Sequence, residues 1–153
     1  MNHPPISLSL VIGTLVITGA LLILAQQPSV TISASIPFYS PLMSSTVGIP
    51  LTPGYSGLHS PDLRFHWTAD YGTFVRWDPP VFTVTDLGRD AITTTGTVYW
   101  QYIPEVHGTE PDVVRLRLSV EDARTGRIRA SAETILRKSG MGYETSAMTL
   151  QPD

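Results

Sequence analysis

The spacing of apolar residues divides the chain into two parts with different periods. From Ile6 to Ala25 the sequence reads ISLSLVIGTLVITGALLILA, without Asp, Glu, Lys or Arg. As a helix this run spans about 30 Å, the thickness of a bilayer's hydrocarbon core. Pro4 and Pro5 suit a helix start, while Gln26, Gln27 and Pro28 form a polar end. Ser7, Ser9, Thr14 and Thr18 can return their hydroxyls to helix carbonyls and so be tolerated in lipid. Residues 1–27 are therefore expected to form an N-terminal transmembrane helix, meeting the lipid bilayer through residues 6–25.

Beyond the run the period becomes two, the spacing of a strand with one face buried. Val30, Ile32, Ala34 and Ile36 alternate with Thr31, Ser33 and Ser35. Val47, Ile49 and Leu51 alternate likewise, and Pro50, lacking an N–H, points to a sheet edge. Residues 26–61 also hold six Pro, eight Ser and three Gly, so residues 28–60 read as a Pro/Ser-rich stalk lending an edge strand or two.

Residues 61–150 read as a domain of short strands. Leu63, Phe65 and Trp67 alternate with Arg64, His66 and Thr68. A second strand is expected over Thr73–Trp77, and a third over Val81–Thr85, ended by Asp86-Leu87-Gly88. A fourth covers Thr97–Ile103, with Val98, Trp100 and Tyr102 on one face. The last hairpin is the most constrained. Pairing Val120 with Ala130, Leu118 with Ala132 and Leu116 with Thr134 puts every apolar residue on one face. That register leaves Arg124-Thr125-Gly126 as the loop, with Gly126 at a left-handed position. It also sets Glu121 opposite Arg129 and Arg117 opposite Glu133 on the outer face. The fold expected is an all-β antiparallel sandwich.

Charge sharpens this division. Only 15% of the 153 residues are charged, and none of these precedes Asp62, against about 25% in ordinary soluble domains. The net charge of −3 argues against a nucleic-acid partner. There is no cysteine, which excludes disulfides and thiolate chemistry and leaves the domain to be held by its core. The apolar run competes with a reading as a cleaved signal peptide. No Lys or Arg precedes it, it exceeds the usual length of about 7–15 residues, and Ile23 fits a small-x-small cleavage site poorly. An uncleaved anchor is preferred. Lys and Arg are missing near both ends, so the positive-inside rule is silent. The short N-terminus is expected to stay inside, with the domain extracytoplasmic.

Three segments give the domain a family likeness. Phe65-His66-Trp67 precedes Asp70-Tyr71-Gly72, Val98-Tyr99-Trp100 forms an aromatic strand, and a long strand ends in Leu118-Ser119-Val120-Glu121-Asp122. Together these resemble a PKD-type immunoglobulin-like domain over roughly residues 60–138. The Trp-Asp-Phe-Gly-Asp-Gly run of that family is reduced here to Trp67-Thr68-Ala69-Asp70-Tyr71-Gly72. The resemblance implies a non-catalytic module of a surface or secreted protein.

Candidate chemistry is sparse. Gly54-Tyr55-Ser56-Gly57 approaches a nucleophile elbow, but Leu58 stands where G-x-S-x-G needs glycine. His3, His59, His66 and His107 show no paired ligand spacing, and His66 falls on the outer face of its strand. Asp70, Glu110, Asp112, Glu121 and Asp122 lack the D-x-D-x-D-G pattern of a calcium loop. No cofactor, metal or catalytic residue is assigned. Trp67 and Trp100, in phase with apolar neighbours, are expected in the core. Tyr71, Trp77 and Tyr99 are out of phase or in loops, and are the candidate binding face. The function expected is a membrane-tethered, non-enzymatic module that binds a protein or envelope polymer, or acts as a spacer. The alternative is a secreted carbohydrate-binding sandwich freed by signal cleavage.

Overall fold

The structure is a computed structural model that describes residues 27–59, 62–78, 83–94 and 96–146. The expected membrane helix lies outside the described residues, save Gln27. Among the described residues no helix is long and apolar enough to cross a membrane.

The chain folds into two antiparallel sheets. Its strands are β1 (Ser29–Ala34), β2 (Phe38–Tyr39), β3 (Ile49–Ser56), β4 (Leu63–Ala69), β5 (Thr73–Trp77), β6 (Val84–Gly88), β7 (Asp90–Thr93), β8 (Val98–Gln101), β9 (Val113–Asp122), β10 (Ile128–Ser139) and β11 (Gly142–Thr145). One helical turn, α1 (Pro104–His107), joins β8 to β9. The first sheet runs β1-β3-β8-β5-β6 and the second β2-β11-β10-β9-β4-β7.

Period-two alternation places one residue in two between the sheets. The first sheet sends in Ile49, Leu51, Phe74, Val98 and Trp100, and the second answers with Phe65, Trp67, Leu116, Leu118 and Leu136, all buried. Trp67 lies 6.0 Å from Phe74 and Trp100 5.4 Å from Tyr143, ring centre to ring centre. Burying each such side chain contributes roughly 1.5–3 kcal/mol, and with no cysteine in the chain this interior is what holds the sheets together.

Pro50 does not lie in an edge strand, as expected, but inside the first sheet, between β1 and β8. Its carbonyl accepts from Ser35 N–H at 3.2 Å, so its absent donor falls at the last step of the β1 ladder, where little is lost. Asp86-Leu87-Gly88 likewise does not end its strand. Phe74 pairs with Gly88 and Val75 with Asp86, leaving Leu87 as the extra residue of a bulge. Asp86 Oδ1 accepts from Thr73 Oγ1 at 2.6 Å and from Gly88 N–H at 2.9 Å, fixing the kink.

The final hairpin keeps its expected register from Val120–Ala130 onward. The Arg117–Glu133 pair forms at 2.9 Å, and Gly126 is left-handed with φ 70°. Its tip differs. Glu121 pairs with Ile128, Asp122 N–H donates to Arg127, and Arg129 is bulged out of the ladder. Asp122 Oδ1 accepts from the N–H groups of Arg124 and Thr125, so the loop closes around Asp122 and gains a residue. Arg129 therefore meets Asp122, at 2.9 Å, rather than Glu121.

Candidate functional site

Strand register defines two ends of the sandwich. Ser29 starts β1 opposite Ser56, the last residue of β3. Ile49, the first residue of β3, faces Trp100, so Tyr102 and Ile103 leave β8 at the end away from Ser29. In the second sheet Leu63 pairs with Asp122 and Val113 with Arg137. The 123–127 loop thus lies at the Leu63 end and the Gly140–Met141 turn at the other. Pro28, Leu63 and Arg129 line one cleft, which identifies the Ser29 and Leu63 ends as the same.

At the far end three loops meet over a cluster of tyrosines. Tyr102 packs 5.1 Å from Tyr143, 5.9 Å from Tyr71 and 5.6 Å from Trp100. Each of the three tyrosine hydroxyls donates to a different loop carbonyl. Tyr71 holds Gly108 at 3.1 Å, Tyr102 holds Met141 at 3.1 Å, and Tyr143 holds Pro111 at 2.7 Å. Burial, reinforced by the Glu110 carboxylate, pushes the Tyr102 hydroxyl up to about 12. Burial also raises Tyr143 and Tyr71. The three hydroxyls thus stay protonated donors at neutral pH.

The two connections so held, β8–β9 and β10–β11, form with the β2–β3 loop an open groove of about 410 Å³, floored by Tyr102 and walled by Leu42, Ile103, Pro104 and Met141. Pro104 starts α1 and holds Ile103 extended, at φ −131°. Ile103 N–H donates to His107 Nδ1 at 2.9 Å, closing the turn. Leu42 is 76% exposed, Met141 71%, and Val106 on α1 72%, the three most exposed large apolar side chains among the described residues. At the rim Lys138 Nζ lies 3.0 Å from Glu110 Oε2, while Glu105 projects from the first turn of α1.

The chain matches no protein-family model, no curated protein and no solved structure.

The three aromatics expected to share a binding face are divided. Tyr71 is only 5% exposed and belongs to the far-end cluster, 5.9 Å from the His107 ring. Its loop position hid this, because the β4–β5 turn folds back over the core. Trp77 and Tyr99 do meet, edge to face at 5.6 Å, both half-buried. They stand on the outer face of the first sheet, which Tyr99 shares with its fully buried partner Val75.

The carboxylates weighed as calcium ligands are dispersed among other partners. Asp70 accepts from Arg115 N–H at 2.9 Å, Glu110 pairs with Lys138, and Asp122 closes its hairpin. Among the described residues no three His, Cys, Asp or Glu side chains are grouped as a metal ion would require. Ser56 ends a strand, not a strand-to-helix turn, with its Oγ 2.6 Å from that of Ser29.

His66 is not a solvated surface histidine. On the outer face of the second sheet its Nε2 lies 2.7 Å from Asp90 Oδ1 and its Nδ1 3.0 Å from Glu121 Oε1. Glu121 also accepts from Arg64 Nε at 2.8 Å. Partial burial by itself would lower the imidazole pKa, but the hydrogen bonds and charges of Asp90 and Glu121 outweigh it and the net shift is upward. For Glu121, desolvation opposes ionisation, while Arg64 and His66 overcome it and hold the carboxyl below its usual range. Asp122 is held at about 2, first by Arg129 and then by the loop N–H groups.

A raised histidine pKa stabilises the fold most below the unfolded value of about 6.5, and that contribution is lost as pH rises through the folded value. The Tm gap between wild type and His66→Gln should therefore be wide at about pH 6 and narrow by about pH 9. A gap that is constant or widens over that range would show that His66 is not held protonated by its two carboxylates.

Proposed function

We propose that the chain is a membrane-tethered, non-catalytic extracytoplasmic module that presents its far-end groove to a protein or envelope-polymer partner. The observation that carries this is where the most exposed apolar residues lie. Leu42, Val106 and Met141, the three most exposed large apolar side chains among the described residues, come with Ile103 from three separate loops at one end, opposite the end at which Ser29 begins the first strand. An anchor over residues 6–25 would join the Ser29 end and leave the groove facing away from the bilayer. Apolar side chains that are exposed together, on loops pinned to the core, are the usual anatomy of a docking site.

Strand pairing supports an immunoglobulin-like, PKD-like subtype. β4 pairs with β7 and β5 with β8, as strands B with E and C with F pair in that fold. The flanks are exchanged. β9, from late in the chain, takes the place of A beside B, and β3, from early in the chain, takes that of G beside F. This arrangement keeps the cross-sheet core while permuting its outer strands, in line with a resemblance confined to short motifs.

Expressed at its full length, the chain should stay in carbonate-washed membranes with its intact mass, and added protease should digest the β domain from the extracytoplasmic side. Release into the soluble fraction with loss of about 25 N-terminal residues would overturn the tether. It would favour the secreted, carbohydrate-binding reading, for which Trp77 and Tyr99 are what remains of the expected aromatic face.

A further inference from the structure

Resting on the reading of the far-end groove as a docking site, we infer that its occupant is an extended protein segment in which basic side chains flank bulky apolar ones. Two features select that chemistry. The walls are the exposed aliphatic and thioether side chains of Leu42, Ile103 and Met141, which call for apolar anchors. The rim carries one net negative charge, because Lys138 pairs with Glu110 at 3.0 Å and no other lysine or arginine lines the groove beside Glu105. A Lys or Arg next to an apolar anchor would complement Glu105. A neutral glycan would supply no cation and few apolar groups, and nucleic acid would be repelled. The groove is open to solvent and about 410 Å³ in volume, so a passing strand can lay a few side chains into it from outside.

The test uses the full-length chain in zwitterionic phosphatidylcholine nanodiscs, with empty nanodiscs as blank. Fluorescence anisotropy follows two labelled hexapeptides, Lys-Leu-Lys-Phe-Lys-Leu and Glu-Leu-Glu-Phe-Glu-Leu. The basic probe should bind about threefold or more tightly than the acidic one. Combined Leu42→Ser and Met141→Ser substitution should weaken it at least about tenfold, with Tm unchanged because both side chains are exposed. Glu105→Lys should narrow or reverse the preference between probes. Equal affinity for the two probes, indifference to the double substitution, or no binding of the basic probe would each overturn the inference. If the chain is instead soluble and shortened, the same titration on that form tests the groove independently of the tether.

Discussion

Replacing Trp100 by alanine should remove about half or more of the domain's stability, about 4–8 kcal/mol. The indole is completely buried and is the hub between the sheets and the far-end tyrosines, 5.6 Å from Tyr102 and 5.4 Å from Tyr143. Truncating a buried tryptophan to alanine costs roughly 3–5 kcal/mol. Nε1 also donates to the Tyr71 carbonyl at 2.8 Å, and a buried acceptor left without its donor costs a further ~1–3 kcal/mol. A small domain has in all about 5–15 kcal/mol to lose, and this one has no disulfide to limit the loss. Trp100→Phe separates the two contributions, since it keeps most of the ring area and removes only the donor. Urea unfolding followed by circular dichroism should rank wild type above Trp100→Phe, and Trp100→Phe above Trp100→Ala. Trp100→Ala within about 1 kcal/mol of wild type would mean that the sheets close without this ring.

What could be read from the amino-acid order follows the strength of alternation. β4, β8 and the β9–β10 hairpin carry two or more inward apolar residues each, and these were legible as strands with their buried faces, while β5, which turns only Phe74 into the core, was legible as a strand alone. β7 turns only Ala91 inward, β2 has two residues, and β11 contributes Tyr143 beside Gly142. None has a period to detect, because tertiary pairing with β4, β10 and β11 makes the strand. The charges of the hairpin show the same limit at finer scale. Cross-strand partners follow from register in the regular part, hence Arg117–Glu133. Where Arg129 bulges, the partner changes to Asp122 and Glu121 turns to Arg64 and His66. The groove was missed for a different reason. Its apolar side chains are single residues beside Pro41, Pro104 and Gly140, one in the segment read as a stalk and one at the end of a strand, so no period joins them. The signal available was hydrophobic residues where turn chemistry calls for polar ones. Tyr71 failed in the opposite direction, a loop residue that the tertiary fold makes part of the core.

Gly72→Ala should be the most damaging small substitution in the domain, for reasons that a second glycine can separate. Gly72 lies in the β4–β5 turn with φ +77°, a conformation that costs an L-residue roughly 1–2 kcal/mol. A Cβ there would also come within 2.5 Å of the Gln101 carbonyl oxygen and 2.7 Å of Trp100 Nε1. Neither neighbour can yield cheaply. The carbonyl belongs to the β8 backbone, and the indole is locked between tyrosines and bonded to Tyr71. Overpacking of this kind adds about 1–3 kcal/mol, so the total should be about 2–5 kcal/mol. Gly88 has the same backbone demand, φ +83°, but no atom within 4 Å of the added Cβ. Gly88→Ala should therefore cost only the conformational part, about 1–2 kcal/mol. Trp100→Phe, which removes Nε1, should reduce the Gly72→Ala penalty and leave that of Gly88→Ala unchanged, a coupling that a double-mutant cycle in urea would read. Equal losses from the two glycines, with no coupling to Trp100, would mean that the turn demands only its backbone conformation. A larger loss at Gly72 would establish that close approach of the turn to β8 is what seats Tyr71 over the core, and with it the loop carbonyl at Gly108 that its hydroxyl holds.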